Sequence, residues 1–264
     1  MIYFLYALAS TIGSLLVGIL GTGSSLVVLP CLILIFAGSL EGFDTLRLAA
    51  GTTMATIAVG AVSGAVMQYR NGHVNLALLN VLFLPYVVGG FLGPWLGKLL
   101  PSGVLAIYIA AIISFVALRM LFLERTEVVS SARDYRAHQL EIISVATAVG
   151  LLCSMAGVAS GLLTIPYLRR FSLPMRTIIG TSTAAAGIYA SCGTIGYITA
   201  AQGVENLPNG SLGYVYLPAF FIMATIATIV TPLGVHLARY VSERNLSRLL
   251  AGFLLLAAVV IIVR

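Results

Sequence analysis

The sequence predicts an all-α polytopic membrane protein: about ten hydrophobic segments in two inverted five-segment repeats, with re-entrant or broken helices at glycine- and serine-rich turns. Three observations predict it. Of 264 residues, 60% are hydrophobic and 8% charged, where a soluble domain carries about a quarter charged, and the mean hydropathy is +1.07. Two groups of motifs recur in the same order in each half of the chain. The basic residues also fall mostly on one side of the alternating segments. This composition excludes a secreted disulfide scaffold, a nucleic-acid binder and a soluble Rossmann-type enzyme.

The segments follow in order. Residues 2–20 are apolar with no Lys or Arg before Arg47; lacking the basic region of a cleavable leader, this stretch is expected to stay as a helix. Residues 24–40 start at the end of Gly21-Thr22-Gly23-Ser24-Ser25 and run through Pro30. Residues 48–68, 74–97 and 103–123 are each long enough to cross a bilayer. The interval 124–141, with Arg125, Arg133, Asp134, Arg136 and His138, is strongly polar and reads as a cytoplasmic linker. It separates a first repeat, 1–123, from a second, inverted one, 142–264.

The second repeat opens with the apolar stretch 142–157. Between Gly161 and Arg169 there are only seven residues, about 10 Å of helix, where a crossing needs ~30 Å. The chain over 142–170 is therefore expected to enter from the cytoplasm, turn near 157–161 and return. By symmetry, the turn at 21–25 belongs to a hairpin reaching in from outside. Segments 177–200, 212–238 and 246–263 complete the chain.

The duplication is read from spacing. Gly21-Thr-Gly-Ser-Ser25 precedes Pro30 as Gly157-Val-Ala-Ser-Gly161 precedes Pro166, and both glycines and prolines stand 136 residues apart. Arg47-Leu-Ala-Ala-Gly51-Thr52-Thr53 matches Arg176-Thr-Ile-Ile-Gly180-Thr181-Ser182 at 129, and Leu84-Pro85 matches Leu217-Pro218 at 133. With strict alternation, eleven of the fourteen Lys and Arg share one side, leaving Arg47, Lys98 and Arg264 on the other. The positive-inside bias puts the larger group in the cytoplasm and both termini in the periplasm. An odd number of segments per half inverts the second half.

These motifs suit a small anion. A backbone break inside lipid leaves N–H and C=O groups to be satisfied by protein, water or ligand. Glycine permits the turn, and a helix N-terminus beyond it offers N–H groups and the positive dipole end. Gly23, Ser24, Ser25, Ser160 and Gly161 are expected to surround an anion near the midplane; the alternative is packed elbows whose serines cap their own helices. Thr52, Thr53, Thr181 and Ser182 supply further hydroxyls, or else bond the preceding helical turn. Arg47 and Arg176 are candidate attracting or gating charges; the alternative is snorkelling or capping of a neighbouring helix.

No Asp or Glu lies away from the segment ends, and neither a P-loop nor an HExxH motif is present. No cofactor or metal is expected, and no catalytic constellation. The Gly60/Gly64 and Gly89/Gly93/Gly97 spacings favour tight packing within the chain or a homodimer contact. Cys31, Cys153 and Cys192 read as reduced packing residues, and Trp95 as an interfacial anchor.

On these paired motifs the chain resembles the TauE/SafE sulfite exporter family, also called the toluene-sulfonate uptake permeases, over nearly its whole length. It carries serines where the family's turns are often glycine, and Thr53 where serine is common. The resemblance implies a secondary transporter of small sulfur-containing anions, sulfite or an organosulfonate such as sulfoacetate, in a bacterial cytoplasmic membrane. Export by alternating access is expected, since a negative interior drives an anion outward by ~2.3 kcal/mol per charge per 100 mV. The alternatives are an uptake carrier of the same family and a non-transporting scaffold or assembly subunit.

Overall fold

The computed structural model describes residues 2–20, 24–40, 42–122, 134–237 and 243–263. Ten α-helices lie among them: α1 (Ile2–Leu20), α2 (Ser24–Ser39), α3 (Thr45–Arg70), α4 (Leu76–Leu99), α5 (Ser102–Phe122), α6 (Gln139–Ala156), α7 (Gly161–Leu168), α8 (Met175–Ala200), α9 (Leu217–Leu237) and α10 (Glu243–Val263). Thr45–Arg70, Leu76–Leu99, Ser102–Arg119, Leu217–Gly234 and Tyr135–Ala156, the last including a 3-10 turn at Tyr135–His138, are long and apolar enough to cross a membrane. The protein is an all-α, multi-pass membrane protein.

Local chemistry sets the helix ends. The Asp44 carboxylate accepts the Arg47 N–H at the start of α3, and the Asn75 side chain accepts the Leu78 N–H at the start of α4. At the end of α6, Gly157 takes φ +71°. Its N–H bonds the Ser154 carbonyl while the Val158 N–H bonds that of Cys153, a Schellman closure.

Two expectations are corrected here. The stretch expected to begin a helix at 212 starts instead with a hairpin, β1 (Ser211–Leu212) antiparallel to β2 (Val215–Tyr216). Gly213 at φ +58° supplies the first position of its two-residue turn. The end of the expected linker is structured: Tyr135 packs into the core, and residues 139–141 already belong to α6. Residues 124–133 of that linker lie outside the described residues.

The long helices α3 and α8 run antiparallel through the centre. Gly51 faces Tyr197, Met54 faces Gly193, Ala61 and Val62 face Gly187, and Gly64 faces Thr183. In α3, 61% of the apolar window is buried, against 33–39% in the other four spans, which makes it the innermost of them. Around this pair, α4 packs on α6 and α8, α9 on α1 and α3, and α5 on α10. Alanine, serine and threonine share the interior with buried leucines, isoleucines and tyrosines, while Phe4, Leu84, Phe221 and Leu256 stand 62–70% exposed on the outside. That arrangement suits hydrocarbon as the surrounding solvent, because close backbone approach, not apolar burial, joins helices in lipid.

The glycine spacings serve packing inside the chain. A Cβ on Gly89 would lie 2.8 Å from the Leu151 nitrogen, and one on Gly93 would strike the Ser154 side chain, so this stripe seats α4 on α6. Proline positions are compensated in two places. Pro166 cannot donate to the Leu162 carbonyl, nor Pro232 to that of Thr228. Arg119 Nη1 donates to the first at 3.3 Å, and Ser63 Oγ to the second at 3.2 Å.

Candidate functional site

The turn between α6 and α7 is held closely by the helices around it. A Cβ on Gly157 would come within 2.6 Å of the Ala50 Cα, so α3 abuts the turn backbone to backbone. The polar groups at the break find partners from two other helices, α8 and α4. Tyr189 donates its phenol proton to the Val158 carbonyl at 2.8 Å. Tyr197 donates towards the Ser154 and Met155 carbonyls at 2.9 and 3.1 Å, and the Tyr86 and Thr164 hydroxyls bond each other. Such satisfaction is required of irregular backbone at membrane depth.

The two glycine- and serine-rich motifs meet here. The Ala159 N–H donates to Ser25 Oγ at 2.9 Å, across 134 residues of sequence. Ser25 and Ser160 are both buried. Ser160 makes no side-chain capping bond. Its hydroxyl lies beside the Tyr86 phenol but completes no hydrogen bond of normal geometry. Gly161 begins α7 and is buried. Of the companion motif, Ser24 is the first residue of α2, and Gly23 lies outside the described residues.

The Gly-Thr motifs divide their labour residue by residue. A Cβ on Gly51 would overlap the Tyr214 carbonyl, and one on Gly180 the His73 carbonyl. Thr52 Oγ1 then accepts the Tyr216 N–H at 3.0 Å and donates to the Leu48 carbonyl at 2.7 Å. Thr181 Oγ1 accepts the Asn75 N–H at 2.9 Å. Each glycine allows the approach, and each threonine locks it, onto the segment that leads into α9 or α4. The next residues, Thr53 and Ser182, are buried, and their hydroxyls have no partner among the described residues.

These hydroxyls do not share one small pocket. Thr53 lies at the level of α8 residues 193–197, which puts it roughly 18 Å along the helix axis from Ser182. Thr53 and Ala50 share a face of α3 one turn apart, so Thr53 belongs to the α6–α7 turn's side of the pair. Arg47, expected as an attracting or gating charge or as a cap on a neighbouring helix, is buried. It pairs with Asp44 and donates to the Gly97, Lys98 and Leu100 carbonyls, closing the C-terminus of α4, where a cation is favoured. Arg176 is exposed at the start of α8.

Against known families, the profile of the sulfite exporter TauE/SafE family matches residues 6–261. The chain belongs to the TauE/SafE family. It is similar to a probable membrane transporter protein of Haemophilus influenzae, 23% identical over 96% of this chain and 95% of the relative. It is also similar to the probable membrane transporter protein YdhB of Bacillus subtilis, 25% identical over 70% of this chain and 74% of the relative. No solved structure matches. The protein is a membrane transporter.

Some interior groups of this TauE/SafE member escape sequence reasoning. Thr231 is buried beside Gly60 and Gly64, with its hydroxyl unpartnered among the described residues. It carries no repeated motif, so nothing in the sequence distinguishes it from other helical threonines. Tyr86, Tyr189 and Tyr197 were legible in principle: a phenol in the middle of an apolar helix needs a buried acceptor.

Proposed function

We propose that the protein exports a small sulfur-containing anion, sulfite or an organosulfonate such as sulfoacetate, across the bacterial cytoplasmic membrane by alternating access. The observation that carries this reading is the set of buried hydroxyls on Ser160, Thr53 and Ser182 that no described protein group satisfies. An unsatisfied buried hydroxyl costs about 1–3 kcal/mol, and an oxyanion would repay it without the cost of a buried charged side chain. The family to which the chain belongs supports the chemistry.

In this mechanism the anion rests where the two motifs cross, among Ser24, Ser25, Ser160 and the backbone of Gly23 and Gly161. The N-terminus of α7 supplies positive potential there. Ser182 offers a hydroxyl on one side of the crossing and Thr53 one on the other, so an anion moves between hydroxyls without meeting a fixed counter-charge. Arg176 raises the local anion concentration at its mouth.

The helix pairings support repeats 1–123 and 142–264 related by inversion, and the charge bias favours both termini in the periplasm. Advancing each helix by five exchanges α1–α9 with α6–α4, and α3–α9 with α8–α4, while α3–α8 and α5–α10 map onto themselves. The outward driving force on an anion from a negative interior favours export.

The test is a thermal-shift and calorimetric screen of sulfite, thiosulfate, sulfoacetate, taurine and chloride on purified protein. Sulfite or sulfoacetate should stabilise the wild type, and Ser24→Ala with Ser160→Ala should lose that response while remaining folded. No stabilisation by any sulfur anion, or unchanged binding in the double variant, overturns the assignment.

A further inference from the structure

A groove runs along the outside of the central pair, away from the crossing. Its α3 wall repeats every four residues, Ala58, Val62, Val66 and Arg70, and Ser191 of α8 and Thr228 of α9 face it. The stripe is about 18 Å long, close to the ~15 Å that one leaflet contributes to the hydrocarbon core. The groove encloses about 680 Å³, and Val62 and Val66 are 50% and 49% exposed to it and to the surroundings.

Its hydroxyls are already occupied. Ser63 Oγ donates to the Thr228 carbonyl that Pro232 leaves free, Thr228 to the Ala224 carbonyl at 2.9 Å, and Ser191 to the Gly187 carbonyl at 2.8 Å. The walls therefore ask for no polar ligand, in contrast to the orphaned hydroxyls of the interior. At one end stands Arg70, exposed in the last turn of α3, and no described carboxylate pairs with it. On the equivalent face between α8 and α4, Gly90 and Gly196 bring those backbones into contact.

We propose that this groove holds an acyl chain of an anionic phospholipid whose phosphate meets Arg70. A narrow apolar channel of leaflet depth fits one hydrocarbon chain, and the Arg70 guanidinium at its mouth complements a phosphate. The charge bias of the chain puts Arg70 on the cytoplasmic side, the leaflet where anionic lipid attracts basic residues. The bound chain would cover the valines that α3 leaves exposed along this groove.

Native mass spectrometry of delipidated protein, titrated with phosphatidylglycerol or phosphatidylcholine, tests the site. Wild type should retain phosphatidylglycerol preferentially. Arg70→Gln should cut that preference about fivefold, the worth of one basic side chain near an anionic surface. Val62→Trp, and separately Val66→Trp, should fill the groove and lower retention of both lipids by a similar factor. Preference unchanged in Arg70→Gln, or retention unchanged in both tryptophan variants, overturns the proposal. So does a wild-type dimer in light scattering that either tryptophan variant dissociates, since a second copy would then be the occupant.

Discussion

At the scale of single residues, adjacent hydroxyls in one motif do opposite work. Thr52 joins α3 to the segment before α9, while Thr53 offers a hydroxyl with no described partner. Thr52→Val should therefore destabilise the fold by about 1–3 kcal/mol, because the Tyr216 N–H loses its acceptor in a partly buried setting. Thr53→Val should leave stability unchanged or raise it, since it removes an unsatisfied polar atom. Equal destabilisation of the two variants in thermal unfolding would contradict this division. The sequence could nominate both threonines from the repeat, but not sort them. Sorting depends on a hairpin 164 residues away, and spacing within a helix carries no information about it.

At the scale of elements, chain length and glycine placement made the α6–α7 break legible. Eight helical residues cannot span lipid, and Gly157 sits where a left-handed residue must end α6. Gly157→Ala should destabilise the protein by at least about 1–3 kcal/mol from backbone strain alone, with overlap against Ala50 added, as chemical unfolding in mild detergent can measure. The capture of proline-freed carbonyls was not legible, since it depends on which helix lies alongside. It makes a coupled prediction. Arg119→Leu should destabilise by about 1–3 kcal/mol by stranding the Leu162 carbonyl. Pro166→Ala restores an N–H one turn away and should suppress much of that loss. Additive effects of the two changes would show that Arg119 does not satisfy this carbonyl. The hairpin at 211–216 also escaped, because its residues are as apolar as a helix start and only Gly210 and Gly213 mark it.

At the scale of the molecule, the antiparallel run of α3 and α8 separates two ends. Arg70 and Met175 mark one. Lys98 marks the other, where its ammonium bonds the Gln202 carbonyl at 3.1 Å. In a variant lacking native cysteines, single cysteines at Arg70 and Met175 should react with an impermeant thiol reagent from one face of the membrane, and those at Lys98 and Gln202 from the opposite face. Labelling of both sets from the same face would defeat the multi-pass arrangement drawn here. Apolar stretches and paired motifs made the helix order readable. Which helices touch was not, because every apolar segment has many partners it could accept in lipid.

The reciprocal docking of Gly51-Thr52 and Gly180-Thr181 carries a consequence for assembly. Each step finds its hydrogen-bond donor only in the opposite half of the polypeptide, at Tyr216 or Asn75. Either half made by itself would be an unfinished clasp, with nothing to close upon. Severing the chain between α5 and α6 should leave two fragments that still seize one another and copurify when produced together, whereas neither should accumulate alone.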